Sequence, residues 1–128
     1  MALMYLLDTN IFLEILLKQD KSDKCKAFLN DNIGLLNISD FSLHSIGVIL
    51  FRQNQQHDFQ NFIQDTLPNI NLVNLPKSLY PELLSTKEFQ NLDFDDCYQY
   101  LICKSHSFEL VTMDNDFTKT KGISIKYL

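Results

Sequence analysis

The sequence predicts an α/β fold: a three-layer α/β/α sandwich around a central, mostly parallel sheet of four or five strands. Three observations carry this. Short apolar runs at residues 3–7, 35–39, 70–75, 108–113 and 123–127 alternate with longer stretches of helical periodicity. Helix-capping residues stand directly after several of these runs, so strand passes into helix without a long loop. Alternation of this kind requires right-handed crossovers and a parallel sheet, whose ligands gather at the carboxyl ends of the strands.

Leu3 to Leu7 is apolar enough for a strand buried on both faces, and Asp8-Thr9-Asn10 interrupts it. Ile11, Phe12, Ile15 and Leu16 then recur at helical spacing, with Thr9 or Asn10 as the N-cap, or Asp8 in that role. A polar helix follows over 21–31, a second strand over 35–39, and a helix from Asp40 to about Arg52. Another helix around 57–66 ends before Pro68. After the third strand a helix starts near Ser78, which Pro81 tolerates only in its first turn. Asp93 caps a helix over 94–106 whose apolar stripe is Phe94, Tyr98, Leu101 and Ile102, with Asp96, Tyr100 and Cys103 on a second line. Two such stripes imply cover on both sides. The fourth strand then ends at Asp114.

At 128 residues the chain reads as one domain, 1–128, without linker or repeat. Hydrophobic residues at 45% and only three glycines and three prolines exclude a low-complexity or disordered chain. The opening apolar run lacks a basic flank and meets Asp8 too soon for a signal peptide or membrane span, so a cytoplasmic protein is expected. Cys25, Cys97 and Cys103 form no CxxC pair, which argues against a disulfide framework and a thiolate zinc site. A net charge of −5 offers phosphate no overall attraction; nucleic acid would need a local basic patch or bound cations.

Asp8 and Asp114 each follow a hydrophobic strand directly, and in a parallel sheet both lie along one edge. Asp96 opens the helix before the Asp114 strand and points into a partly enclosed space. Carboxylates brought together repel and take up protons unless a cation neutralises them, and oxygen-only ligation suits Mg2+ or Mn2+. A cation so held can deprotonate water and stabilise a phosphoryl transition state, which removes the objection raised by the negative net charge.

At this point YLLDTN at 5–10, LDFDDCYQYLICKSHSFELVT at 92–112 and TMDNDF at 112–117 resemble PIN domains, particularly VapC-like toxins. The resemblance spans nearly the whole chain, and the sixteen-residue step from Asp96 to Thr112 is part of it. It implies a metal-dependent endoribonuclease in which Asp8, Asp96 and Asp114 are catalytic and, with Asp116 beside them, bind Mg2+ or Mn2+. It implies that Asn10 and Thr112, with Thr9 in a similar position, hold those acids by hydrogen bonds. It also implies an RNA substrate, a cognate antitoxin and a homodimer.

The departure lies in ISDFSLHSIGVIL, where the family commonly carries a glutamate on its third helix and this chain has Ser45 beside His44. A second reading therefore stays open: a PIN-fold RNA-binding or protein-interaction module that no longer cuts. Asp93 and Asp95 are read as first-turn capping residues. His44 is read as a packed or surface histidine, and Glu14 as a solvated charge outside the site. A dehalogenase-like phosphatase would need an acid at Asn10, and a receiver domain an acidic pair beside the first strand.

Overall fold

The computed structural model describes residues 3–128. Five strands form one sheet in the order β3-β2-β1-β4-β5, and every neighbouring pair is parallel. The strands are β1 (Tyr5–Leu7), β2 (Leu36–Ser39), β3 (Asn71–Val73), β4 (Glu109–Thr112) and β5 (Ser124–Tyr127). The helices are α1 (Thr9–Leu16), α2 (Ser22–Asp31), α3 (Asp40–Arg52), α4 (Gln56–Asp65), α5 (Glu82–Gln90) and α6 (Phe94–His106). The expected α/β/α sandwich is thus present, with all five strands and a wholly parallel sheet.

Alternation along the two central strands divides the core. Leu6 and Leu110 point to one face and pack with Tyr98, Leu101, Ile102 and Phe117. Leu7 and Val111 point to the other and pack with Ile11, Phe12, Ile46, Leu50 and Phe62. Strands so short hold because both faces are apolar and covered, which is the condition for a parallel sheet. On α6 every residue from Asp96 to Cys103 is buried, the outcome two stripes on one helix foretold. Cys25, Cys97 and Cys103 are free thiols in this core.

The chain order reverses between β1 and β4: β2 and β3 lie on one side of β1, β4 and β5 on the other. A crevice opens at the carboxyl ends where the connections diverge, and in open parallel sheets such crevices receive ligands. The register places Leu7 opposite Val111, so Asp8 and Thr112 leave their strands at the same level. Among the described residues no helix is long and apolar enough to cross a membrane.

Several local expectations are corrected. Of the three residues offered as the N-cap of α1, Asp8 takes the role and Thr9 and Asn10 do not, its side chain accepting from Thr9 N at 2.8 Å. The helix expected from Ser78 begins at Glu82, because Pro81 occupies the position before the first turn and a short 3-10 turn, Lys77–Leu79, precedes it. Phe94, placed by periodicity on the buried stripe of α6, is 59% exposed: it is the first residue of the helix and projects beyond the covered part. Asp93 stands at the N-cap of α6 with extended backbone, but its side chain makes no capping bond.

Candidate metal centre

The end of β1 delivers Asp8 into the crevice in a buried position. Its Oδ1 accepts from Thr9 N, and its Oδ2 accepts from the Thr112 hydroxyl at 2.7 Å. Thr112 is fully buried at the end of β4 and bonds three ways. Besides donating to Asp8, its Oγ1 accepts from Asp114 N at 2.9 Å and from Asn10 Nδ2 at 3.5 Å. Asn10 Oδ1 accepts in turn from Met113 N at 3.4 Å. One hydroxyl therefore ties the loop after β1 to the loop after β4 and sets the Asp8 carboxylate relative to Asp114.

Asp114 turns the chain into the 3-10 segment Asn115–Phe117 by accepting from Asp116 N at 2.8 Å. Asp96 reaches the same crevice from the first turn of α6 and is buried. A cavity of about 330 Å³ is lined by Asp8, Asn10, Ser45, Asp95, Asp96 and Asp114 among others. The chain thus brings Asp8, Asp96 and Asp114 around one cavity, and Ser45 faces it from α3, half-buried. Thr112 lies behind Asp8, and Asp116 stands at the exposed rim.

The electrostatics are those of acids without a counter-charge. Burial pushes the Asp96 carboxyl up from 3.8 to about 7, helped by the negative charges of Asp95, Asp8, Asp114 and Asp116. Burial also raises Asp8, against the hydrogen bonds from Thr112 and Thr9, which favour its ionised form. Asp116, fully exposed, is raised chiefly by the charge of Asp114. A group of carboxylates that depress one another's ionisation, with oxygens the only charged donors, fits a hard divalent cation.

The tightest grouping is not the one the sequence suggested. Asp93, Asp96 and Asp116 each offer an oxygen within 4.8 Å of the others. Asp93 joins it because its side chain is free of the capping role assigned to it. Sequence reasoning also missed Gln99 and Ser42. Gln99, one helical turn after Asp96 and 2% exposed, lines the cavity and donates to Ser42 Oγ at 2.8 Å. The Ser42 hydroxyl shares a hydrogen with Thr9 Oγ1 at 2.7 Å. Gln99 Oε1 is buried without a partner among the described residues. The signal available was an amide three residues after Asp96, on the same helix face.

A PIN domain model matches residues 5–123. The chain belongs to the PIN domain family. Solved structures similar to this PIN domain include a chain of a toxin-antitoxin complex from Klebsiella pneumoniae, 21% identical with TM-score 0.75, covering 93% of this chain and 94% of that one. Another is a chain of VapBC2 from Rickettsia felis bound to a promoter DNA fragment, 17% identical with TM-score 0.77, covering 98% and 99%. A third is a chain of DNA-bound VapBC from Salmonella typhimurium, 14% identical with TM-score 0.81, covering 98% of each. At these identities the likeness is one of fold. No curated protein matches the chain by sequence.

Proposed function

We propose that this PIN domain is a metal-dependent endoribonuclease, and the toxin of a toxin-antitoxin pair. The observation that carries the reading is the cavity shared by Asp8, Asp96 and Asp114, in which burial raises the Asp96 and Asp8 carboxyls with no cation beside them to offset it. Membership of the family and the fold shared with chains of toxin-antitoxin complexes support it.

In this reading Asp8, Asp96 and Asp114 hold Mg2+ or Mn2+, and Asp116 takes part from the rim. When bound, the cation supplies acidification of a water and neutralisation of the phosphate's charge. Thr112 favours the ionised form of Asp8 against its burial, orients it through its 2.7 Å bond and fixes the start of the Asp114 turn. Asn10 braces that turn through Met113 N. The Gln99 amide, through Ser42, fixes Thr9 next to Asp8.

The antitoxin and a homodimer belong to the same proposal. Phe51, Leu84 and Phe89, from 61% to 86% exposed, leave apolar surface on α3 and α5 for protein contacts. A second reading, a module that binds RNA or protein without cutting, draws on Ser45, whose short neutral side chain faces the acids where a carboxylate would add a ligand.

Incubation of purified protein with a labelled single-stranded RNA, with Mn2+ or EDTA, separates the two readings. The nuclease gives internal cleavage with Mn2+, none with EDTA, and none from Asp8→Asn. Bound but intact RNA in Mn2+ assigns the chain to the non-cutting module.

A further inference from the structure

Beside the acid cavity lies a second cleft of about 480 Å³, lined by Asp40, Phe41, His44, Tyr80, Phe94 and Tyr98. The two share Phe41, which lines both. Phe94 belongs to the same helical turn as Asp95 and Asp96, and with Tyr80 it is among the exposed large hydrophobics, at 59% and 46%. Phe94, a large ring kept in water one cleft away from the acids, is not explained by packing, since the core of α6 is complete without it.

The floor of the cleft is rigid. The Tyr98 hydroxyl donates to Asp40 Oδ1 at 2.7 Å and accepts from Leu75 N at 3.1 Å, which locks its ring. Phe41 packs on it with centroids 5.9 Å apart, and Tyr80 meets it edge-on at 6.2 Å. None of the lining residues is a lysine or arginine, and Asp40 adds a negative charge. The cleft therefore suits an uncharged planar group attached to a strand whose phosphate lies in the neighbouring acid cavity. Aromatic faces beside a backbone-tracking groove bind single-stranded bases by stacking, with little dependence on sequence.

We propose that the Phe41–Tyr80–Phe94–Tyr98 cleft is a nucleobase subsite, in which a base next to the reacting phosphodiester of a single-stranded RNA stacks on Phe94 and Tyr80. This rests on the nuclease reading for the placing of the reacting phosphate in the acid cavity.

The chain contains no tryptophan, so Phe94→Trp provides a single, selectively excited tryptophan in the cleft. Its fluorescence is titrated with a single-stranded RNA hexamer, and with the same hexamer carrying abasic sites, with Ca2+ present. The expected result is quenching by the base-bearing strand and none by the abasic one. Phe94→Ala and Tyr80→Ala should each bind the base-bearing hexamer about tenfold more weakly, the order of loss of one stack. In cleavage Phe94→Ala should raise KM while kcat holds, because the stack is made equally in ground and transition states. Thermal melting confirms that the variants fold.

Equal quenching by the two hexamers, or unchanged affinity in both alanine variants, overturns the subsite. So does a shift of Phe94→Ala in oligomeric state with RNA binding intact, which assigns the cleft to protein contact. Base-dependent quenching without cleavage in Mn2+ keeps the subsite and removes the nuclease. Cleavage with no quenching and unchanged KM does the reverse.

Discussion

Replacing Asp96 with asparagine should stabilise the metal-free protein at alkaline pH. The Asp96 carboxyl is raised from 3.8 to about 7, by burial first and then by Asp95, Asp8, Asp114 and Asp116. The folded chain thus holds this proton more tightly than the unfolded chain, so the contribution to stability is complete below about pH 4 and is lost as pH rises through 7. At roughly 1.4 kcal/mol per pH unit, that interval corresponds to about 4 kcal/mol, an upper bound because the neighbouring acids relax and share the proton. Asp8, also raised, adds in the same direction. Asparagine keeps the shape of the side chain without the charge, and so removes the Asp96 part of this slope. Urea denaturation in EDTA at pH 5, 6, 7 and 8 should show the wild type losing up to about 2.5 kcal/mol across the series through Asp96, while Asp96→Asn loses much less. At pH 8 the melting temperatures should differ by on the order of 10 °C in favour of the variant. Adding Mn2+ at pH 8 should then raise the wild type and leave the variant nearly unmoved, since the cation relieves a repulsion the variant lacks. A wild-type stability that is flat from pH 5 to 8, or a Mn2+ shift equal in both proteins, would refute the reasoning.

Further outcomes follow from the same geometry. Thr112→Val should cost about 1–3 kcal/mol in denaturant titration, because it leaves Asp8 Oδ2 and Asp114 N without the shared hydroxyl; a loss below about 0.5 kcal/mol would remove the hydroxyl from its bracing role. Ser45→Glu should tighten Mn2+ binding roughly tenfold by calorimetry and raise RNA cleavage, since it adds a carboxylate to the wall of the acid cavity. Unchanged binding would mean that this side of α3 does not reach the cation. Tyr98→Phe should cost about 1–2 kcal/mol of stability through loss of its bonds to Asp40 and Leu75 N, and thermal melts with no change would contradict that.

The elements most legible in the sequence were those whose burial is uniform. Leu36–Ser39 and Glu109–Thr112 read as strands because both faces are covered, and α6 read correctly from Phe94 to His106 because its two apolar lines are both packed. Boundaries failed where a single backbone choice decides them. Which of Asp8, Thr9 and Asn10 caps α1, and how far Pro81 shifts the start of α5, do not show in periodicity. Phe94 was misplaced because a helical wheel has no knowledge of where the sheet beneath it ends. For the site, the strand-end rule was enough to bring Asp8 and Asp114 to one crevice. It could not separate Asp93, which falls within 4.8 Å of Asp96 and Asp116, from an ordinary capping residue. Nor could it foresee that Gln99 would be buried beside the acids, because an amide on a helix is more often solvated.

Two overlapping sets of carboxylates could hold the proposed cation, Asp8 with Asp96 and Asp114 in the cavity, and Asp93 with Asp96 and Asp116 at its rim. Crystals of the protein grown with Mn2+ and measured at the manganese edge discriminate between them directly. The account predicts an anomalous peak ligated by Asp8, Asp96 and Asp114 at about 2.0–2.3 Å per oxygen. A peak held by Asp93 and Asp116 with Asp8 uninvolved, or none at a saturating concentration, would contradict it.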